Sequence, residues 1–169
     1  MIKSIKLVAF VILLTATSTY AQTLKFGHIN STQLLGMMPE TKVADSTLQK
    51  FGASLESQLK TMTTEYQGKV SEFRANEATM AEPVKEAKAR EINDLETRIQ
   101  DFQESAQSSL QKKKEEIYTP IIKKAEDAIK GIAKEKSYSY IFDTSVGVVL
   151  YAQDSDDIMP QVKTKLGLK

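Results

Sequence analysis

"TMAEPVKEA", Thr79 to Ala87, sets a proline inside a run that otherwise reads as helix from about Pro39 to Lys136. Either Pro83 kinks one very long helix or the chain turns back on itself there. The apolar positions on either side decide between the two. Leu55, Leu59, Tyr66, Val70 and Phe73 lead toward the proline, and Ile92, Leu95, Ile99, Phe102 and Leu110 lead away from it. Steps of three and four dominate both series, the spacing of a coiled-coil seam. Folding the series at Glu82 and Pro83 makes residues meet whose numbers add to about 165, so that Phe73 faces Ile92, Val70 faces Leu95 and Tyr66 faces Ile99. Pro83 then opens the return helix, where its missing N–H costs nothing, whereas a mid-helix proline costs about 3 kcal/mol. The tip turn is Glu82 and Pro83.

The expected arm covers residues 44–117. Consecutive four-residue steps, Met62 to Tyr66 to Val70 and Phe102 to Ala106 to Leu110, break the strict heptad and locally unwind the supercoil. Glu77 falls on the seam opposite Lys88, which predicts an ion pair across the tip. The outgoing helix, at roughly 38 residues and 1.5 Å per residue, reaches on the order of 55 Å. Near the base Pro120 interrupts "IYTPIIKKAEDAI"; a proline there removes a backbone hydrogen bond and makes Pro120 the candidate hinge.

The ends of the chain, 22–43 and 118–169, read as a small body. "LKFGHIN" alternates and carries Gly27 as a turn residue, and "SYSYIFDTSVGVVLYAQ" reads as two strands with a turn around Thr144 to Gly147. Ser31 is the expected cap of a short helix, Pro39 the first residue of the next, and Asp156 or Asp157 the cap of a closing helix. The fold class is therefore α+β, a small strand body carrying a long antiparallel helical hairpin. So few strands bury little and leave open edges, and oligomerisation through the sheet solves both problems.

Residues 1–21 have the make-up of a cleaved signal peptide: Lys3 and Lys6, the apolar run Leu7 to Leu14, then "TSTYAQ" with small side chains before Gln22. Absence of cysteine excludes acylation at that site as well as disulfides and cysteine-containing zinc sites. Without Lys3 and Lys6, 21 of the 23 basic residues remain against 22 acidic ones, and this near neutrality gives no basis for nucleic-acid binding. His28, the sole histidine, has no nucleophile motif beside it and reads as structural. "DSDDIMPQV" lacks the glycine and distal glutamate of a calcium loop, so Asp154, Asp156 and Asp157 read as turn and cap residues. No glycine-rich phosphate loop is present. Catalytic residues, a metal and a cofactor are not expected, and the chain is read as a non-enzyme.

The order of parts, a strand with "FGHINSTQLL", then "MPET", the hairpin, "PIIKKAEDAIKGIAKEKSYSYIFDTS" and "VVLYAQDSDDI", resembles the OmpH/Skp family of periplasmic chaperones over essentially the whole chain after residue 21. The resemblance implies a periplasmic homotrimer whose strands form a central cap and whose arms enclose a cavity. There the family holds unfolded outer-membrane β-barrel proteins without ATP. It places trimer contacts on Phe26, Ile29, Tyr140, Phe142, Val148 and Leu150, and spreads client contacts over the inward faces of the arms. The near-neutral charge departs from the family's best-known member, which is strongly basic. Lys85, Lys88 and Arg90 at the tip are interspersed with Glu82, Glu86 and Glu91, which weakens the implied contact with lipopolysaccharide or a membrane surface. The competing reading is a non-enzymatic coiled-coil envelope adaptor whose arms bind one folded partner.

Overall fold

The computed structural model describes residues 24–168, so the signal-peptide reading of residues 1–21 lies outside the described residues. Strand β1 (Phe26–Ile29) leads into α1 (Ser31–Met37) and then α2 (Pro39–Asn76), which runs out to the tip. A short 3-10 turn, Glu77–Thr79, precedes the 54-residue return helix α3 (Glu82–Glu135). Strand β2 (Tyr140–Asp143) and a closing helix α4 (Met159–Leu166) complete the body.

Pro39 sits in the first turn of α2 and Pro83 in the first turn of α3, where neither loses a helical hydrogen bond. The chain therefore reverses at the tip. The outgoing helix stops at Asn76, earlier than the apolar pattern suggests, because residues 77–81 are spent on the turn. That displaces the expected Glu77–Lys88 pair. Glu77 binds Lys85 at 3.1 Å, while Lys88 reaches past it to Glu72 at 2.8 Å. Lys69 and Glu91 close the next rung at 2.6 Å.

Along the arm Leu95 is buried, Leu55, Leu59, Tyr66, Val70, Phe73, Ile92, Ile99 and Phe102 are half-buried, and Leu110 is exposed. Two helices alone cannot cover a seam from all sides, so most of its side chains stay partly wet. Pro120 lies within an unbroken α3. Cross-helix ties bracket it: Tyr118 donates its hydroxyl to Asp45, and Lys124 donates to Glu40.

β1 and β2 pair in parallel, Phe26 opposite Tyr140 and Ile29 opposite Asp143. Parallel neighbours need a crossover, and here the crossover is α1 and the entire arm. Period-two alternation sends Gly27, Ile29 and Ile141 toward the helices and Phe26, His28, Tyr140 and Phe142 to the other face. Beneath the sheet, Ile29, Leu34, Met38, Ile158 and Val162 form a core with Ile121, Ala125, Ala128 and Ile132 of α3. The steps of four, three and four in the α3 set are the stripe of a one-sided helix.

Several expectations on the body are corrected. Gly27 is a strand residue rather than a turn. A Cβ there would lie 2.9 Å from the Tyr138 ring and 3.1 Å from Ile158, so glycine is what allows both to pack on β1. The cap of α1 is Asn30, whose side chain accepts from Gln33 N at 2.8 Å; Ser31 is occupied with Asp143 instead. Asp157 accepts from Met159 N at 2.8 Å at the start of α4, whose far end closes on Gly167 in the left-handed conformation. Residues 148–151, expected as a strand, have no backbone partner among the described residues and stay irregular, so the described sheet has two strands.

Candidate interaction surfaces

The sheet face turned away from the helices carries three rings from two strands. Phe26, Tyr140 and Phe142 stack with centroids 5.9 Å, 6.1 Å and 6.4 Å apart. Register produces this: Phe26 sits directly opposite Tyr140, and Phe142 follows Tyr140 by two positions on the same face. Tyr140 remains 56% exposed and Phe142 47%. Aromatic residues stacked on one another and still half open to water form a contiguous apolar patch, the mark of an interaction site.

The irregular segment after β2 extends this patch. Val148, Leu150 and Tyr151 are exposed, Leu150 by 96%, and with Phe26, His28 and Phe142 they line a cleft of about 520 Å3. The segment is pinned at both ends. At its start the Asp143 carboxylate accepts from the Ser31 hydroxyl at 2.5 Å, from Ser31 N at 3.1 Å and from Ser145 N at 2.9 Å. At its far end the His28 Nε2 lies 3.0 Å from the Gln153 carbonyl oxygen, and Ile158 N donates to the His28 carbonyl at 3.0 Å. Thus His28 fastens a loop. One edge of β1 is covered by β2 and the other by the bridge to Asp157, while the outer edge of β2 has no strand beside it among the described residues.

Of the residues assigned to a trimer contact, Phe26, Tyr140, Phe142, Val148 and Leu150 lie on this open surface. Ile29 does not: at 2% exposure it belongs to the protomer's own core, because it occupies the opposite phase of β1 from Phe26. The Asp143 cluster was not anticipated from sequence, although "DTS" is the Asx-turn pattern that could have announced it. Burial pushes the Asp143 carboxyl up, but the Ser31 hydroxyl and the backbone N–H groups of Ser145 and Ser31 outweigh it and hold the group at about 2, below its ordinary 3.8. A depressed folded-state value contributes stability above the unfolded value, and that contribution is lost as pH falls through about 2. Asp143→Asn is therefore expected to lower the urea midpoint at neutral pH and to flatten its fall between the two values. An unchanged acid limb would assign the acid sensitivity elsewhere.

On the arm, the tip cations are engaged with carboxylates. Besides the Lys85 and Lys88 pairs, Arg90 contacts Glu86 at 3.4 Å. Hydrogen bonding to Lys88 lowers the pKa of Glu72, and hydrogen bonding to Glu77 raises that of Lys85. Among the described residues no three His, Asp or Glu side chains converge as metal ligands, and no helix is long and apolar enough to cross a membrane.

Residues 25–166 match the family described as outer membrane protein (OmpH-like). The fold is similar to that of an outer membrane chaperone (OmpH-like) from Caulobacter crescentus CB15, known from a crystal structure. The TM-score is 0.74 at 16% identity, over 89% of this chain and 88% of that one. No curated protein matches the sequence.

Proposed function

The chain belongs to the OmpH-like outer membrane protein family, and from that premise we propose that it is a periplasmic, ATP-independent holdase chaperone that binds unfolded outer-membrane β-barrel proteins between the arms of a homotrimer. The observation that carries this reading is an aromatic face left open at the root of a long projecting arm. An isolated two-stranded sheet is marginal, and a second and third copy would cover the rings and the free edge of β2. Residues 148–152 of a neighbour, irregular and without a strand partner among the described residues, have the backbone groups that such an edge lacks.

A container of this kind works by excluding other clients and by many weak contacts, so it needs no nucleophile, nucleotide loop or metal. The paired tip cations leave little positive charge for lipopolysaccharide or a membrane surface, and apolar capture dominates.

The test uses the chain from Gln22, mixed with a urea-unfolded outer-membrane barrel protein as it is diluted into buffer without nucleotide. Native mass spectrometry is expected to give three copies with one client, and light scattering to show suppressed aggregation. Three copies that ignore the client while it aggregates would overturn the holdase and favour an adaptor for a folded partner.

A further inference from the structure

The chain has one histidine, and the fold places it on the open aromatic face. His28 shares the phase of Phe26 on β1, sits opposite Phe142 of β2 and is half-buried. It lines the cleft of about 520 Å3 together with Phe26, Phe142, Val148 and Leu150. Imidazole is the side chain whose ordinary titration falls between about pH 5 and 8, and the chain has no cysteine to share that range. The face on which copies of the chain would meet therefore carries the one side chain able to change charge near neutrality.

The Nε2 atom of His28 lies 3.0 Å from the Gln153 carbonyl oxygen, which can only accept. Nε2 therefore carries the hydrogen, and Nδ1 is the atom that takes a second proton. The surroundings decide how costly that proton is. From β2, the ring is faced by Phe142 and the Tyr140 phenol; Asp143 lies on the helix side and is bound by Ser31 and Ser145. From the segment after β2 come Val148, Leu150 and the Tyr151 phenol. From the turn that follows, Asp156 is the one carboxylate lining the cleft, Asp154 is exposed, and Asp157 is engaged with the Met159 N–H. Lys25, just before β1, turns to the Tyr138 ring and the Lys136 carbonyl. Among the described residues no carboxylate bonds the His28 ring, and no lysine or arginine lines the cleft.

In the single chain, water reaches this cleft and an imidazolium there stays hydrated. A second copy seated on the rings removes that water, and removing water disfavours the charged form of a histidine. Asp156 offsets part of this, but it makes no bond to the ring. A closed ring of three copies covers three such imidazoles, and their like charges add to the penalty.

We propose that His28 makes assembly of the chain pH-sensitive, the copies closing on neutral imidazole and loosening when it is protonated. The proposal rests on the homotrimer reading and adds a control to it. The sign follows from linkage. Assembly favours the unprotonated ring, so it releases protons and weakens as pH falls through the ordinary imidazole value of about 6.5.

Sedimentation equilibrium of the chain from Gln22, at about pH 8 and about pH 5.5, brackets that value. Disfavouring the charged ring by about tenfold at each of three sites raises the half-assembly concentration by about tenfold between the two conditions. His28→Gln keeps an amide N–H for the Gln153 carbonyl but cannot take a charge, and it retains the α-amino group, which also titrates in this range. Its half-assembly concentration should be the same at both pH values. A second measurement needs no variant: the imidazole C–H signals of the single histidine are followed by NMR against pH, above and below the half-assembly concentration. The midpoint is expected at lower pH in the assembled sample. Equal midpoints, or a parent trimer equally tight in both conditions, would overturn the proposal and leave the trimer standing. A rise that persists in His28→Gln would assign the pH dependence to another group and overturn it too. Absence of any assembly at the higher pH would remove the trimer reading, and the proposal with it.

Discussion

Phe142→Asp is expected to yield monomers in sedimentation velocity and to abolish most of the aggregation suppression. Phe142 stacks within 6.1 Å of Phe26 and 6.4 Å of Tyr140, yet is 47% exposed in the single chain. A carboxylate there costs the protomer little, because water still reaches it. Covered by a second copy, the same carboxylate has no cation facing it on the ring ladder. Loss of an aromatic anchor removes about 2 kcal/mol or more of binding, and an unpaired buried charge costs several more. In a closed ring of three copies the change acts at every interface. Leu150→Asp should act in the same direction from the neighbouring segment. Survival of the proposed trimer in both variants would move the interface off this face.

Leu34→Ala should destabilise the body by roughly 2 to 5 kcal/mol, the range for emptying a leucine site in a packed core. Leu34 is fully buried among Ile29, Met38, Ile158 and Val162, where α1, β1 and α4 converge on α3, and no neighbour can collapse without disturbing another element. Stabilities of whole domains are only about 5 to 15 kcal/mol, so this one truncation consumes much of the total. The urea midpoint should drop sharply, while Val43→Ala, on the exposed side of α2, should stay within about 0.5 kcal/mol of the parent. Equal shifts in the two variants would mean that the core is not where stability resides.

Sequence and structure agree most closely where a feature repeats. The three- and four-residue spacing around Pro83 is carried by many positions, and a misread of any one leaves the hairpin intact. Both helix-starting prolines were legible for a similar reason, since only the first turn tolerates a missing N–H. Features resting on a single residue were harder. Ser31 and Asn30 are both good caps, and the choice falls to Asn30 because Asp143, 112 positions away along the chain, takes the Ser31 hydroxyl. The ion pairs at the tip depend on how many residues the turn consumes. Ile29 lies on the helix-facing side of β1 rather than the expected contact face, because alternation gives two faces without saying which one the helices cover. The 148–151 segment has strand composition, but a strand also needs a neighbour, and the described residues provide none.

The two strands of the body lie at opposite ends of the arm in sequence, with Lys25 and Ser139 bonded across 114 positions. Closing a disordered loop of that length is costly and slow, since the ends must find each other before any contact rewards them. The hairpin changes the search. Its helices pair through local contacts that spread from the tip, and each added turn brings the two ends of the chain nearer. On this route the body is expected to assemble last, by a zipper that starts at its far end, with φ-values near the tip higher than those in the sheet. Wherever the chain emerges N-terminus first, β1 appears early and waits for β2 until the chain is nearly complete, an interval in which it is itself an unfolded chain with an exposed aromatic side chain.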